Sequence, residues 1–230
     1  MSVKQPSPKR GRRPQSAAES DRVRAHIVAA TGEVFAEFGS RGCNVARIIE
    51  RAEFARPTFY RYFANAIEPL NVLLDDSNDA LVQGVGNAVA STDDPIEMGI
   101  RVIDAYLTWA HDRGTLLRPL FAELYDHSSP VCAHRERALD LIRKLIVEKT
   151  VELGREAPSP LVLDALLNAC EFVVFRVLSE GLQNAESLAE ARITMIRMAM
   201  VTVGNTDDIG RALSVPGLFL APPTPGDEPS

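Results

Sequence analysis

The chain has 230 residues, 46% of them apolar and 24% charged, which is long enough for one large domain or for a small one joined to a larger. Three cysteines are too few for a disulfide scaffold, so reduced thiols and a cytoplasmic home are expected. No run approaches the roughly 20 uninterrupted apolar residues of a membrane helix, and the basic N-terminus has no apolar stretch behind it, so neither spanning nor export is expected.

The net charge of −6 conceals a split. Residues 1–62 hold twelve Lys and Arg against six Asp and Glu, and the remainder, with thirteen against twenty-five, carries −12. A basic head on an acidic body suits a head that meets a polyanion.

Residues 1–20 read as a disordered basic arm. Pro6, Pro8, Pro14 and Gly11 deny it a core, and Arg10, Arg12 and Arg13 are candidates for minor-groove contact. Helical periodicity begins near Asp21, with Ile27, Ala30, Val34, Phe35 and Phe38 at three- and four-residue steps, and Gly39 is placed to end that helix. Asn44 suits the cap of a short second helix with the apolar face Val45, Ile48, Ile49 and Ala52. Glu53-Phe54-Ala55 then makes a tight break, and Pro57 suits the first turn of a third helix.

That third helix lies in the stretch ARPTFYRYF, Ala55 to Phe63, where four of the chain's fourteen aromatic rings sit beside two arginines. At 100° per residue Phe59 and Phe63 share one side and belong to a core. Pro57, Thr58 and Arg61 face the other way, with Tyr60 and Tyr62 on the flanks. Donors, a methyl and a cation on one surface suit phosphates and base edges. Asn44, Arg47 and Arg56 complete the candidate DNA-facing set.

Residues 21–66 thus form a candidate DNA-binding unit. Residues 67–206 read as helix after helix, broken near Ser91–Pro95, Arg113-Gly114, His127–Pro130, Ala157–Pro160 and Gly181–Ser187, and residues 207–230 read as a flexible tail. No segment alternates with period two, so the fold class is all-α. In the body, Tyr106, Trp109, Phe121, Tyr125, Phe172 and Phe175 are large rings fit to line an effector cavity, with Glu171 or Arg176 to orient an apolar ligand. Asp126, His127, Cys132 and His134 are the one metal-like cluster, but C-x-H is a weak spacing and no metal or cofactor is expected. Cys43 and Cys170 read as inert core thiols. With no Gly-rich phosphate loop, no G-x-S-x-G and no paired carboxylates in an apolar setting, an enzyme is not expected.

The run VFAEFGSRGCNVARIIERAEFARPTFYRYF resembles the DNA-binding domain of the TetR family of transcriptional regulators, whose third helix reads T-[LF]-Y-x-[HY]-F. The likeness spans roughly Arg22 to Leu74, and its phrasing is also similar to the branch that holds the mycobacterial ethionamide-resistance repressor. It implies that Arg56, Pro57 and Thr58 approach base edges while Tyr60 and Tyr62 hold phosphates. It further implies a homodimer on a near-palindromic double-stranded operator, released by a small apolar effector. Three positions depart from the family pattern: Glu53 stands where Gly is usual, Ala55 where a Ser-like cap is usual, and Ala66 where a phosphate-clamping Lys or Arg is usual. Those departures keep a second reading open, a ligand-binding or scaffold protein of the same fold with weak DNA binding.

The last two long helices, read as 161–182 and 188–203, are expected to form a four-helix seam between protomers. The stripes read for it are Leu163, Leu166, Leu167, Cys170, Val174 and Val177 on one, and Leu188, Ala191, Met195, Met198 and Thr202 on the other.

Overall fold

The computed structural model describes residues 16–179 and 185–214, and among them every element is helical. The candidate arm residues Arg10, Arg12 and Arg13 lie outside the described residues.

Helix α1 (Ala17–Gly42) starts at Ser16, whose side chain accepts from the Glu19 amide, four residues ahead of the start read from the sequence. Its regular part ends where Gly39 turns to φ 67°, ψ −176°, a conformation open in practice only to glycine. Helix α2 (Val45–Arg51) is capped by Asn44, whose Oδ1 accepts from the Arg47 amide. Helix α3 (Arg56–Tyr60) has Pro57 in its first turn. The three close over one core of Ile27, Val34, Phe35, Ile48, Phe59 and Phe63, to which α4 (Ile67–Ala90) adds Leu70 and Leu74.

Helix α4 then continues into the larger unit, so a single helix belongs to both cores. There it packs on α5 (Pro95–Arg113) and α7 (Pro130–Glu152) through Leu81, Val85, Val89 and Ile142. The short α6 (Leu117–Ala122) follows α5 through one 3-10 turn, Gly114–Leu116. Helices α8 (Pro160–Ser179) and α9 (Ala185–Val203) pack on each other and on α5 around Ile103, Cys170, Val174, Met195 and Ile196.

Two differences from the sequence reading have plain physical reasons. The stretch read as the start of a flexible tail forms α10 (Thr206–Leu213), closed by a capping box: Asn205 accepts from the Asp208 amide while Asp208 accepts from the Asn205 amide. Asp208 is also held bidentately by Arg155 at 2.5 and 2.8 Å, a partner 53 residues away that local pattern does not reveal. The stripes read as a dimer seam face inward only in part: Leu163, Cys170, Val174, Ala191 and Met195 are buried in the protomer's own core, Leu166, Leu167, Val177, Leu188 and Met198 are half-buried, and Thr202 is exposed. The outward apolar residues of α8 are Leu161, Ala165, Phe172 and Phe175, which fall within about 80° of one another on the helix. On α9 the large outward apolar residues are Val201 and Val203. Helix α8 is apolar nearly all round, and periodicity cannot say which side of such a helix its own chain covers.

Candidate nucleic-acid interface

Helix α3 divides its side chains as its period demands. Phe59 is fully buried and Phe63 nearly so, their rings 6.0 Å apart, while Arg56, Pro57, Tyr60 and Arg61 are exposed. Thr58 is half-buried beside them. Tyr62, read as a flank, packs half-buried on the core and keeps its hydroxyl at the surface, 3.2 Å from Arg61 Nη2.

Six of the seven arginines of residues 21–66 sort into two kinds. Arg51 is bound by Glu33 and Glu37, and Arg41 by Asp126, so their charges are answered within the chain. Arg24, Arg47, Arg56 and Arg61 instead lie over the rings of Phe63, Phe38, Tyr60 and Tyr62, at 4.2 to 5.8 Å from guanidinium carbon to ring centroid. A guanidinium laid on a ring is pre-oriented yet keeps its hydrogen-bonding edge for an outside acceptor. Arg47 and Arg61 are partial exceptions, Arg47 donating one Nη1 bond to the Gly42 carbonyl at 2.8 Å and Arg61 one Nη2 bond to the Tyr62 hydroxyl at 3.2 Å. An exposed helix face framed by such cations, on a helix-turn-helix, is the geometry of a groove reader.

Residues 27–65 match the N-terminal domain of the TetR family of bacterial regulatory proteins.

The TetR-type fold extends past that domain. A TetR-family transcriptional regulator from Syntrophomonas wolfei, described as putative, superposes with a TM-score of 0.65 over 80% of this chain and 96% of its own, at 18% identity. The fatty acid degradation regulator FadR from Bacillus halodurans does so at 0.62 over 76% and 94%, also at 18% identity. In sequence, the HTH-type transcriptional activator FasR of Mycolicibacterium smegmatis is 25% identical over 126 residues, and the match spans 55% of this chain and 58% of that protein.

The three departures from the TetR pattern now have structural counterparts. Glu53 takes φ 52°, the left-handed conformation that glycine adopts without cost. Ala55 gives α3 no side-chain cap. Ala66 gives none to α4 either; Asn65 Oδ1 accepts from the Ile67 and Glu68 amides, and Glu68 accepts from the Ala64 amide. This end of α4 therefore presents a carboxylate and occupied amides where the family pattern presents a cation.

Of the rings read as cavity-lining in this TetR-type body, Tyr106, Trp109 and Phe121 do line an internal slot of about 50 Å³ between α4, α5, α6 and α7, and Glu171 closes it from α8. Tyr125 and Phe172 are exposed and line no described cavity, and Phe175 is half exposed with its ring 5.8 Å from Phe121. Ring size alone could not separate the two groups. Arg135 was missed by sequence reading: it is buried and grips Glu171 at 2.6 to 3.1 Å, from 36 residues away. Asp126, His127, Cys132 and His134 do not converge. Asp126 binds Arg41 and Ser128, His127 Nδ1 lies 3.6 Å from Cys132 Sγ, and His134 turns to Asp75 and Asn71.

Helix α1 is tied to this body by a short polar contact. Glu123, just past α6, accepts from the Ser40 amide at 2.8 Å and from Ser129 Oγ at 2.5 Å. Glu123 shares its segment with Leu120, Phe121 and Leu124, all on the wall of the slot.

Proposed function

We propose that the protein is a ligand-responsive transcriptional repressor that binds a near-palindromic operator as a homodimer through α3 and leaves it when a small apolar effector fills the body. The observation that carries this reading is the α3 face: two buried rings anchor the helix, and exposed Arg56, Pro57, Tyr60 and Arg61 have no carboxylate partner among the described residues. Thr58, Arg56 and Pro57 approach base edges; Tyr60 and Tyr62 hold phosphates; Asn44 and Arg47 approach the backbone from α2. The protomers meet on the outward apolar face of α8 and on α9, with Leu161, Phe172 and Val201 at the seam. The effector acts by binding one body conformation more tightly than the other, the only way a ligand shifts such an equilibrium. Placement near the ethionamide-resistance repressor rests on the wording of α1 to α3 alone.

The second reading, a ligand-binding or scaffold protein with weak DNA binding, is favoured by one place in the fold: the N-terminus of α4, where Glu68 stands in place of a phosphate clamp. Titration of the dimer against genomic fragments at two salt concentrations separates them. A repressor gives sequence-dependent affinity and a steep salt slope, and Arg56→Ala lowers that slope by about one unit. Equal, weak binding to every fragment gives the scaffold reading the lead.

A further inference from the structure

Besides the slot lined by Trp109 and Phe121, a second of about 60 Å³ lies beside it, between Val85, Val102, Ile103 and Ile142. The two share four wall residues: Leu81, Tyr106, Leu139 and Glu171. Tyr106 therefore stands between them, its ring stacked on Trp109 at 5.8 Å and 14° to form one flat wall.

The polar groups around this double slot are nearly all engaged. Trp109 Nε1 donates to the Ser77 carbonyl at 2.8 Å. Arg135 has every nitrogen occupied: Nε by Glu171, Nη1 by Glu136, Nη2 by Glu171 and Asn168. His134 is held between Asp75 and Asn71. Among the described residues two groups are not engaged: the Tyr106 hydroxyl, which is buried and without a partner, and the half-buried Asn78 amide on the wall of the first slot, which makes no side-chain hydrogen bond. A buried hydroxyl left unpaired is unfavourable unless something supplies the missing bond. Among the described residues two other buried side-chain polar atoms lack partners, Ser77 Oγ and Arg113 Nε, and neither residue lines either slot.

We propose that the double slot takes a neutral, largely apolar ligand bearing a single oxygen acceptor, which receives the Tyr106 hydroxyl while the apolar body lies along Trp109 and into the second slot. The charge balance argues for neutrality. A carboxylate could pair with Arg135 only by evicting Glu171, which would leave a buried carboxylate alone. An ammonium would find Glu171 already matched. Burial, with the Glu171 charge adding to it, holds the Tyr106 phenol well above its ordinary range, so the group meets the ligand as a neutral donor. This rests on the effector-binding reading above and names the class of molecule.

The test uses three probes of one shape: acetophenone, with a neutral carbonyl; benzoate, an anion at pH 7; and ethylbenzene, with no oxygen. Trp109 is the chain's single tryptophan, so its fluorescence reports binding at this wall on the purified full-length protein without DNA. Acetophenone is expected to bind best. Tyr106→Phe is expected to weaken acetophenone about tenfold, the effect of one buried hydrogen bond, and to leave ethylbenzene unchanged. Thermal unfolding checks that the variant stays folded. The proposal is overturned if benzoate binds as tightly as acetophenone, if Tyr106→Phe leaves the ketone's advantage over ethylbenzene intact, or if no probe perturbs Trp109 up to its solubility. If acetophenone binds with the stated selectivity yet does not alter operator affinity, the site stands and the ligand-responsive reading falls.

Discussion

Ser40 donates its backbone N–H to Glu123 Oε1 at 2.8 Å, across 83 residues of sequence, and a Cβ on the neighbouring Gly39 would stand 2.6 Å from that same oxygen. Glycine at 39 thus serves two ends, the backbone angle and the room for the carboxylate. Glu123→Ala should cost about 1–3 kcal/mol of stability by leaving the Ser40 amide and Ser129 without their acceptor. Gly39→Ala should cost about as much through its φ of 67° and the clash. In a double-mutant cycle followed by urea unfolding, Glu123→Ala should cost less on the Gly39→Ala background, because the added methyl has already pushed the carboxylate aside. Full additivity would show that the two are uncoupled.

On α3, reading and anchoring separate by substitution. Phe63→Ala empties a buried site under the three-helix unit and should cost about 3–5 kcal/mol in a thermal melt. Tyr60→Phe should leave stability unchanged and weaken all DNA sequences alike, whereas Thr58→Ala should relax preference at one base pair by about 1–3 kcal/mol in competition titrations. Operator binding untouched by both would mean that α3 is not the reader.

Glu53 holds a left-handed backbone at the turn between α2 and α3. An L-residue pays about 1–2 kcal/mol there, and glycine loses roughly 0.5–1 kcal/mol more chain entropy on folding. Glu53→Gly should therefore raise stability by about 0.5–1 kcal/mol, seen as a higher melting temperature with the same helical signal. A fall would show that the Glu53 side chain contributes more than its backbone costs.

The Arg155 hydrogen bonds, more than any other influence, hold the Asp208 carboxyl below its ordinary range against the upward push of burial. A group with a lowered folded value lends stability that is fully present above its unfolded value of about 3.9 and is lost as the pH falls through the folded value. Stability should thus drop steeply below about pH 4. Asp208→Asn should remove that part of the acid limb while costing about 1.5–3 kcal/mol at neutral pH. An acid limb of unchanged steepness in this variant would assign the loss to other carboxylates.

What the sequence made legible was whatever obeys a local rule. Phe59 and Phe63 declared themselves by angle, Asn44 by its place before an apolar run, and Pro57 by its position in a first turn. What stayed hidden depends on partners far along the chain. Arg135 finds Glu171, Arg155 finds Asp208 and Glu123 finds Ser40 only after the helices have packed. The outward side of α8 was hidden for another reason: Leu161 and Phe172 are as apolar as the buried Leu163 and Val174, so no contrast marks the face.

The cysteines offer a clock. Cys43 lies in the core shared by α1 to α4 and Cys170 in the core around α8 and α9, both buried as free thiols. Burial pushes the Cys43 thiol up to about 11 and the Cys170 thiol up to about 12, so neither is nucleophilic while its core stays closed. Alkylation of each then times the breathing of the core around it. The ratio of the two labelling rates, read peptide by peptide in a mass spectrometer, tells whether the head can melt while the body holds, or whether both let go together.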